Sequence, residues 1–258
     1  MSISNKMRLL TTREKLIITG LFVSKFDVKG LQALGFNGFS EAFNAIALSL
    51  NSNPASIKNY RDEFDPYFPN PRQGWHKRPL REYCKKIMDE YRDWDIDSFA
   101  AYLKTEISAI GEIEIIEESA NPSEDNTFAK RLITGQAAEK YFETVYSKLP
   151  EFQGFNLVNT TGLGCGFDYQ MLKEGHPFQA VEVKGMTAST GAITLTCKEY
   201  KVAQFLENRY YLFVVRNFNE KPYHTVFQNP LKSKLIFERR ESAIIQISWA
   251  TNIQRLIL

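Results

Sequence analysis

The residue types best suited to chemistry lie between Gly164 and Gly185, in the stretch GCGFDYQMLKEGHPFQAVEVKG. Side chains alternate along a strand, so Glu182 and Lys184 share a face with Phe178 and Ala180, while Val181 and Val183 point into a core. A carboxylate and an ammonium are thus held two residues apart in a segment apolar enough to be mostly buried. Burying a charge without a partner is costly, so these groups must be paired, metal-bound or catalytic. Asp168 precedes them, behind a Gly-rich approach of Gly162, Gly164 and Gly166. A turn at Glu174-Gly175-His176-Pro177 would fold Asp168 back beside Glu182.

Two carboxylates and one lysine at one spot suit phosphodiester hydrolysis. Hard oxygen ligands hold Mg²⁺, which takes few protein ligands and keeps its waters. The ion polarises the scissile phosphate and acidifies a bound water. A lysine beside it orients or deprotonates the attacking water and offsets developing charge. The competing reading of Glu182-x-Lys184 is a cross-strand ion pair on an exposed sheet face; the Gly-x-Asp approach and the apolar flanks favour the catalytic one. Other chemistries lack their residues. His76, His176 and His224 are dispersed without metal-ligand spacing, and no phosphate-binding GxxxxGK[ST] loop occurs. Cys84, Cys165 and Cys197 form no CxxC pair, which points to a reduced, cytoplasmic chain without structural zinc.

These groups need a scaffold, and the hydrophobic period supplies one. Ile133, Ala137, Tyr141 and Val145 mark a helix over Ala129–Leu149, which would carry Glu139. Glu139 is either a member of the site or a solvated helix residue. Strand-like runs follow at Leu157–Val158, Phe167–Leu172, Phe178–Lys184 and Ala192–Thr196. A helix over Cys197–Asn208 opens on Thr196-x-x-Glu199, the pattern of a capping box; Glu199 is either that cap or a member of the site. The dense strand Tyr210–Arg216, a turn over 217–222, a partner strand Tyr223–Phe227 and a closing strand Ala243–Trp249 complete an α/β arrangement around a mixed central sheet.

Upstream the pattern is mostly α-helical. Leu16, Ile17, Leu21 and Phe22 recur at helix spacing after Thr12-Arg13-Glu14. A second helix is expected over Ser40–Leu50 with Ser40 as its cap, and a third after Asn53-Pro54, carrying Lys58 and Arg61. Pro79 is expected in the first turn of a helix running through Met88 and Tyr91.

Charge is balanced overall, with 32 Lys+Arg against 30 Asp+Glu and a formal net charge of +2, so only clustering can name a partner. From Arg72 to Lys86 there are six bases and one acid; from Gly111 to Asp125 there are six acids and no base. The acidic stretch places a linker at 117–127, between a helical domain at 1–116 and an α/β domain at 128–258. The basic stretch is either a DNA surface or a solvated helix start. As a surface it would use Arg72, Lys77, Arg78, Arg81 and Lys85 on phosphates or base edges and Trp75 for stacking, with Lys58 and Arg61 nearby. No apolar run approaches the roughly 18 residues that span a bilayer, and the N-terminal segment reads as a helix and not as a signal peptide.

The order Glu139 on a helix, Gly166-x-Asp168, then Val181-Glu182-Val183-Lys184 resembles the PD-(D/E)xK nuclease superfamily, the fold of many restriction endonucleases, over about residues 129–250. Phe167 stands where the motif has proline. The text LTCKEYKVAQFLENRYYLFVVRN, followed by VFQNP, resembles the DUF3883 branch, often attached to DNA-defence proteins. The resemblance implies a restriction endonuclease-like C-terminal domain in which Asp168 and Glu182 hold Mg²⁺, Lys184 serves the nucleophilic water and Glu139 approaches the metal shell. It implies a DNA endonuclease of restriction type acting on specific sequences in double-stranded DNA. A single centre cuts one strand, so double-strand cleavage would need a homodimer or two sequential events. The alternatives are a structure-specific repair or junction nuclease, and a catalytically silent module that only binds nucleic acid.

Overall fold

The computed structural model describes residues 10–72, 79–108 and 122–241. Helix α1, Thr12–Ala33, starts on a capping box. Thr11 accepts the Glu14 N–H and the Glu14 carboxylate accepts the Thr11 N–H, satisfying two donors that the first helical turn leaves over. It bends at Asp27, whose φ of 50° lies in the left-handed region. Helix α2, Phe39–Ser49, has Gly38 as its N-cap, so Ser40, expected to cap it, falls inside the first turn. Asn53 caps α3, Pro54–Phe64, with Pro54 at the first position, where its missing N–H costs nothing.

Helix α4, Glu82–Tyr91, begins three residues after Pro79 and not around it. Glu63 accepts the Arg81 N–H at 2.8 Å, and Arg81, the N-cap residue, is extended. Helix α5 covers Ile96–Ser108. The long helix α6, Pro122–Val145, opens seven residues before the expected Ala129, so residues 122–127 of the anticipated linker are its first turns. Pro122, Glu124 and Asp125 are residue types that favour a helix start.

Five strands follow: β1 Asn156–Asn159, β2 Tyr169–Leu172, β3 Gln179–Gly185, β4 Tyr210–Arg216 and β5 Tyr223–Gln228. They lie in the order β1-β2-β3-β4-β5, antiparallel except for the parallel β3–β4 pair. A parallel pair requires a crossover, and helix α7, Cys197–Leu206, lies in it. The result is the mixed α/β sheet behind a helical region that the patterning implied. One strand was misread: 192–196 has no regular structure. Its alternation arises because Ile193 and Leu195 pack on Met186, Leu212 and Val214 of the sheet without joining it. The closing strand expected at 243–249 lies outside the described residues.

The two sheet faces are covered unequally. Ile133, Ala137 and Phe142 of α6 pack on Tyr169, Val181, Val183 and Phe213, and this core runs on into α1, α2 and α5. The opposite face receives α7, through Ala203 and Leu206 on Ala180 and Tyr210. Each fully buried large side chain contributes about 1.5–3 kcal/mol, so the α6 face carries most of the stabilisation. Polar ties reinforce the junction of the helical region with the sheet. Asn44 Nδ2 donates to the carbonyls of Phe218 (2.7 Å) and Glu220 (2.8 Å), and Lys130 pairs with the buried Glu41 at 2.5 Å.

Candidate active site

The site forms where β2 begins. Tyr169 pairs with Val181 in antiparallel register at the end of the β2–β3 ladder, and Asp168, the residue before it, bonds to β3 on either side of Glu182. The Asp168 N–H donates to the Val181 carbonyl at 3.0 Å. Its carboxylate, through Oδ2, accepts the Val183 N–H at 2.8 Å, taking the place a ladder carbonyl would fill had β2 started two residues earlier. The Asp168 carbonyl is gripped by Thr160, from its N–H at 2.8 Å and its hydroxyl at 3.1 Å. Gly166 turns the chain into this position with φ +87°; a Cβ there would lie 3.0 Å from Val202 and 3.3 Å from Lys198 of α7, so the approach is built for glycine. The 173–177 turn closes the hairpin, with the His176 N–H on the Lys173 carbonyl at 3.1 Å.

On the α7 face of β3, Glu182 is 3% exposed and its Oε1 lies 2.5 Å from the Lys184 ammonium. Lys184 also reaches Glu199 Oε2 of α7 at 3.0 Å. Glu199 serves as the cap the sequence implied, accepting the Thr196 N–H at 2.9 Å, and it is also part of the site. Both roles were open in the sequence, and the structure joins them in one carboxylate.

Glu139 approaches from α6, on the other side of Asp168. A close contact brings the helix in: a Cβ on Gly185 would meet the Thr134 carbonyl at 2.7 Å, so α6 lies against the end of β3 only because residue 185 has no side chain. Glu143, one turn after Glu139, accepts the Tyr169 hydroxyl at 2.9 Å and pairs with Lys140 at 2.8 Å. Neither Glu143 nor Tyr169 was singled out from the sequence; the four-residue spacing of the two glutamates was the available signal.

The electrostatics of the cluster are uniform in direction. Burial, with the neighbouring Asp168 charge adding to it and Lys184 opposing, pushes the Glu182 carboxyl up to about 8. Burial, then the charges of Asp168 and Glu143, push Glu139 up to about 7. Burial raises Asp168 too, against the Val183 N–H, which favours the ionised form. Burial pulls the Lys184 ammonium down, but Glu182 and Glu199 outweigh it and hold it above its ordinary value. One lysine therefore does not neutralise the buried acids around it.

That imbalance is what a divalent cation would correct, and the donors are hard oxygens. Among the described residues no group of three or more His, Cys, Asp or Glu is placed to hold an ion. Asp168 and Glu182 would be a donor pair, with the remaining positions left to water. Such a set fits Mg²⁺, which retains several waters, and does not fit zinc.

The basic residues expected to meet DNA divide. Arg72 is taken up by two carboxylates, Asp65 at 2.8 Å and Asp27 at the bend of α1. Arg81 is bound to Glu63 and lies over the Tyr60 and Tyr83 rings. Arg61 is buried, pairs with Asp62 at 2.6 Å and faces Phe39 and Phe43. Lys58 and Lys85 are exposed. Trp75, Lys77 and Arg78 lie outside the described residues. The arginines thus hold the helical region together; their acids come from 27–65 and were invisible in a window over 72–86.

Residues 138–228 match a known family model. Its description is Protein NO VEIN, C-terminal, and the match covers about a third of the chain. The matched segment runs from the middle of α6 through β5 and contains Glu139, Asp168, Glu182, Lys184 and Glu199. The helical region before α6 falls outside it. Neither the curated proteins nor the solved structures contain a match. Among the described residues no helix is long and apolar enough to cross a membrane.

Proposed function

We propose that this chain is a Mg²⁺-dependent DNA endonuclease of restriction type. The observation that carries the reading is Asp168 bonded to β3 on either side of Glu182, with the Lys184 ammonium 2.5 Å from the Glu182 carboxylate. The match of residues 138–228 to the NO VEIN C-terminal family and the resemblance to PD-(D/E)xK nucleases support a nuclease-like role for that segment. Asp168 and Glu182 would hold the ion. When bound there, Mg²⁺ supplies charge to the scissile phosphate and acidity to a coordinated water. Lys184 donates to the attacking water or to the phosphate oxygens as negative charge builds. Glu139, with a carboxyl raised to about 7, can hold or release a proton on the far side of Asp168. Burial of the acids keeps these interactions strong.

The test is incubation of the purified chain with plasmid and Mg²⁺, followed by sequencing of the ends. Discrete fragments are the expected result for restriction-type cleavage. Asp168→Ala, Glu182→Ala and Lys184→Ala should abolish cutting while DNA retention persists; full activity in any one of them overturns the mechanism.

A second reading has its own observation. Arg61, Arg72 and Arg81 are committed to carboxylates of the helical region, so they are poor candidates for reading base edges. A structure-specific nuclease, which recognises branched or nicked substrates, needs no such readout. Cutting confined to branched or nicked DNA, with linear and supercoiled plasmid intact, would select it.

A further inference from the structure

One carboxylate belongs both to a helix cap and to the site. Glu199 Oε2 accepts the Thr196 N–H at 2.9 Å and the Lys184 ammonium at 3.0 Å, while Thr196 Oγ1 accepts the Glu199 N–H at 3.2 Å. The start of α7 therefore fixes where Glu199 stands, and Glu199 in turn reaches Lys184. The two anionic partners of Lys184 are not equivalent. Glu182, at 2.5 Å, lies between the two β3 residues that bond to Asp168 and is one of the two proposed ion donors; Glu199 lies on a different element, across the crossover. A lysine is a flexible four-carbon stem with three donors, and its reach alone does not place the ammonium. Ordering it in advance removes an entropic cost from the reacting geometry.

We propose that Glu199 is the positioning residue for Lys184: it holds the ammonium in place when the Glu182 carboxylate is committed to the ion. The inference rests on the nuclease reading for its catalytic consequence, but the contact itself can be tested without it. Helix entry and lysine placement are then one device, since whatever shifts the cap shifts the amine.

Glu199→Gln separates the two roles. A capping box accepts glutamine at this position, so the cap persists, while the charge-assisted contact to Lys184 becomes a neutral one. The expected result is a fall in kcat of about tenfold with KM and melting temperature unchanged, the size expected for weakening one charged hydrogen bond. Thr196→Ser should behave as the parent, and Glu199→Ala should lose melting temperature as well as kcat. The second readout uses full-length, metal-free protein: acylation of lysines by acetic anhydride, followed by peptide mass spectrometry. Lys184 should be modified several-fold faster in Glu199→Gln than in the parent, with exposed Lys198 and Lys201 unchanged. Parent-like kcat together with parent-like labelling of Lys184 overturns the proposal. If the parent cuts no DNA with Mg²⁺, the nuclease reading fails, and the labelling contrast alone decides whether Glu199 holds Lys184.

Discussion

The helical region and the sheet solve opposite charge problems. Around Arg72 and Arg81 each buried acid has a guanidinium against it. Burial alone would push the Glu63 carboxyl up, yet its bonds to Arg81 bring it below its ordinary value. Asp65, with a fully buried side chain, accepts from Arg72 at 2.8 Å and from the Ser24 hydroxyl at 2.8 Å. At the sheet, Glu139, Asp168 and Glu182 gather around Lys184, and all three are raised. Matched ion pairs lock a fold; an excess of one sign in a buried place is poorly stabilised until something else binds. On the proposed reading, the contrast separates structural charge from functional charge in this chain.

The comparison breaks most visibly if the site residues prove dispensable. Asp168→Ala, Glu182→Ala and Lys184→Ala should each lower Mg²⁺-dependent cleavage by about a thousandfold, read as initial rates of plasmid nicking, without loss of the folded circular-dichroism spectrum. Next in size, Arg72→Ala should cost about 2 kcal/mol of folding stability in urea titrations, because it leaves the buried Asp65 with only the Ser24 hydroxyl and the more distant Arg61 guanidinium at 3.8 Å. Lys58→Ala and Lys85→Ala, on exposed residues, should stay within about 0.5 kcal/mol. An Arg72 variant that melts like the parent but has lost DNA binding would return that arginine to the nucleic-acid surface.

Gly185→Ala tests how α6 is seated. The added methyl meets the Thr134 carbonyl, so a loss of about 1–3 kcal/mol is expected, together with reduced cleavage as Glu139 shifts away from Asp168. The smallest effect is a pH slope. Glu139 and Glu182 are raised to about 7 and about 8, so between the ordinary carboxylate value and about 8 the folded chain binds more protons than the unfolded one. Their contribution to stability is full below the ordinary value and is lost as pH rises through 7 to 8. The melting temperature of metal-free protein should therefore fall over that window. Glu182→Gln should flatten the slope, and Mg²⁺ should restore stability on the alkaline side. A metal-free melting curve that is flat from about pH 5 to 8 would remove the raised carboxyls on which the contrast depends.

Much of this was legible in the amino-acid order because it is local. The Thr196–Glu199 cap, the Asn53-Pro54 helix start and the shared face of Glu182 and Lys184 all follow from spacings of one to three residues. Strand β4 was read to the residue, since YYLFVVR is buried on both faces and nothing else in the chain resembles it. Local reading failed where a neighbour in space changes the meaning. Ile193 and Leu195 alternate as a strand does but pack on a sheet face, and Arg81 caps a helix because Glu63 holds it.

What the order of residues determined by itself, then, is most of the helices and strands and the pairing of one acid and one lysine on one strand face, because side-chain period is a property of the backbone. The tertiary structure alone decided that the Asp168 carboxylate takes the Val183 N–H, that α6, which carries Glu139, seats against Gly185, and that the arginines near residue 72 are spent on acids from 27 to 65. Those outcomes depend on strand register and on close approach between elements distant in the chain, and no spacing within a single segment encodes either.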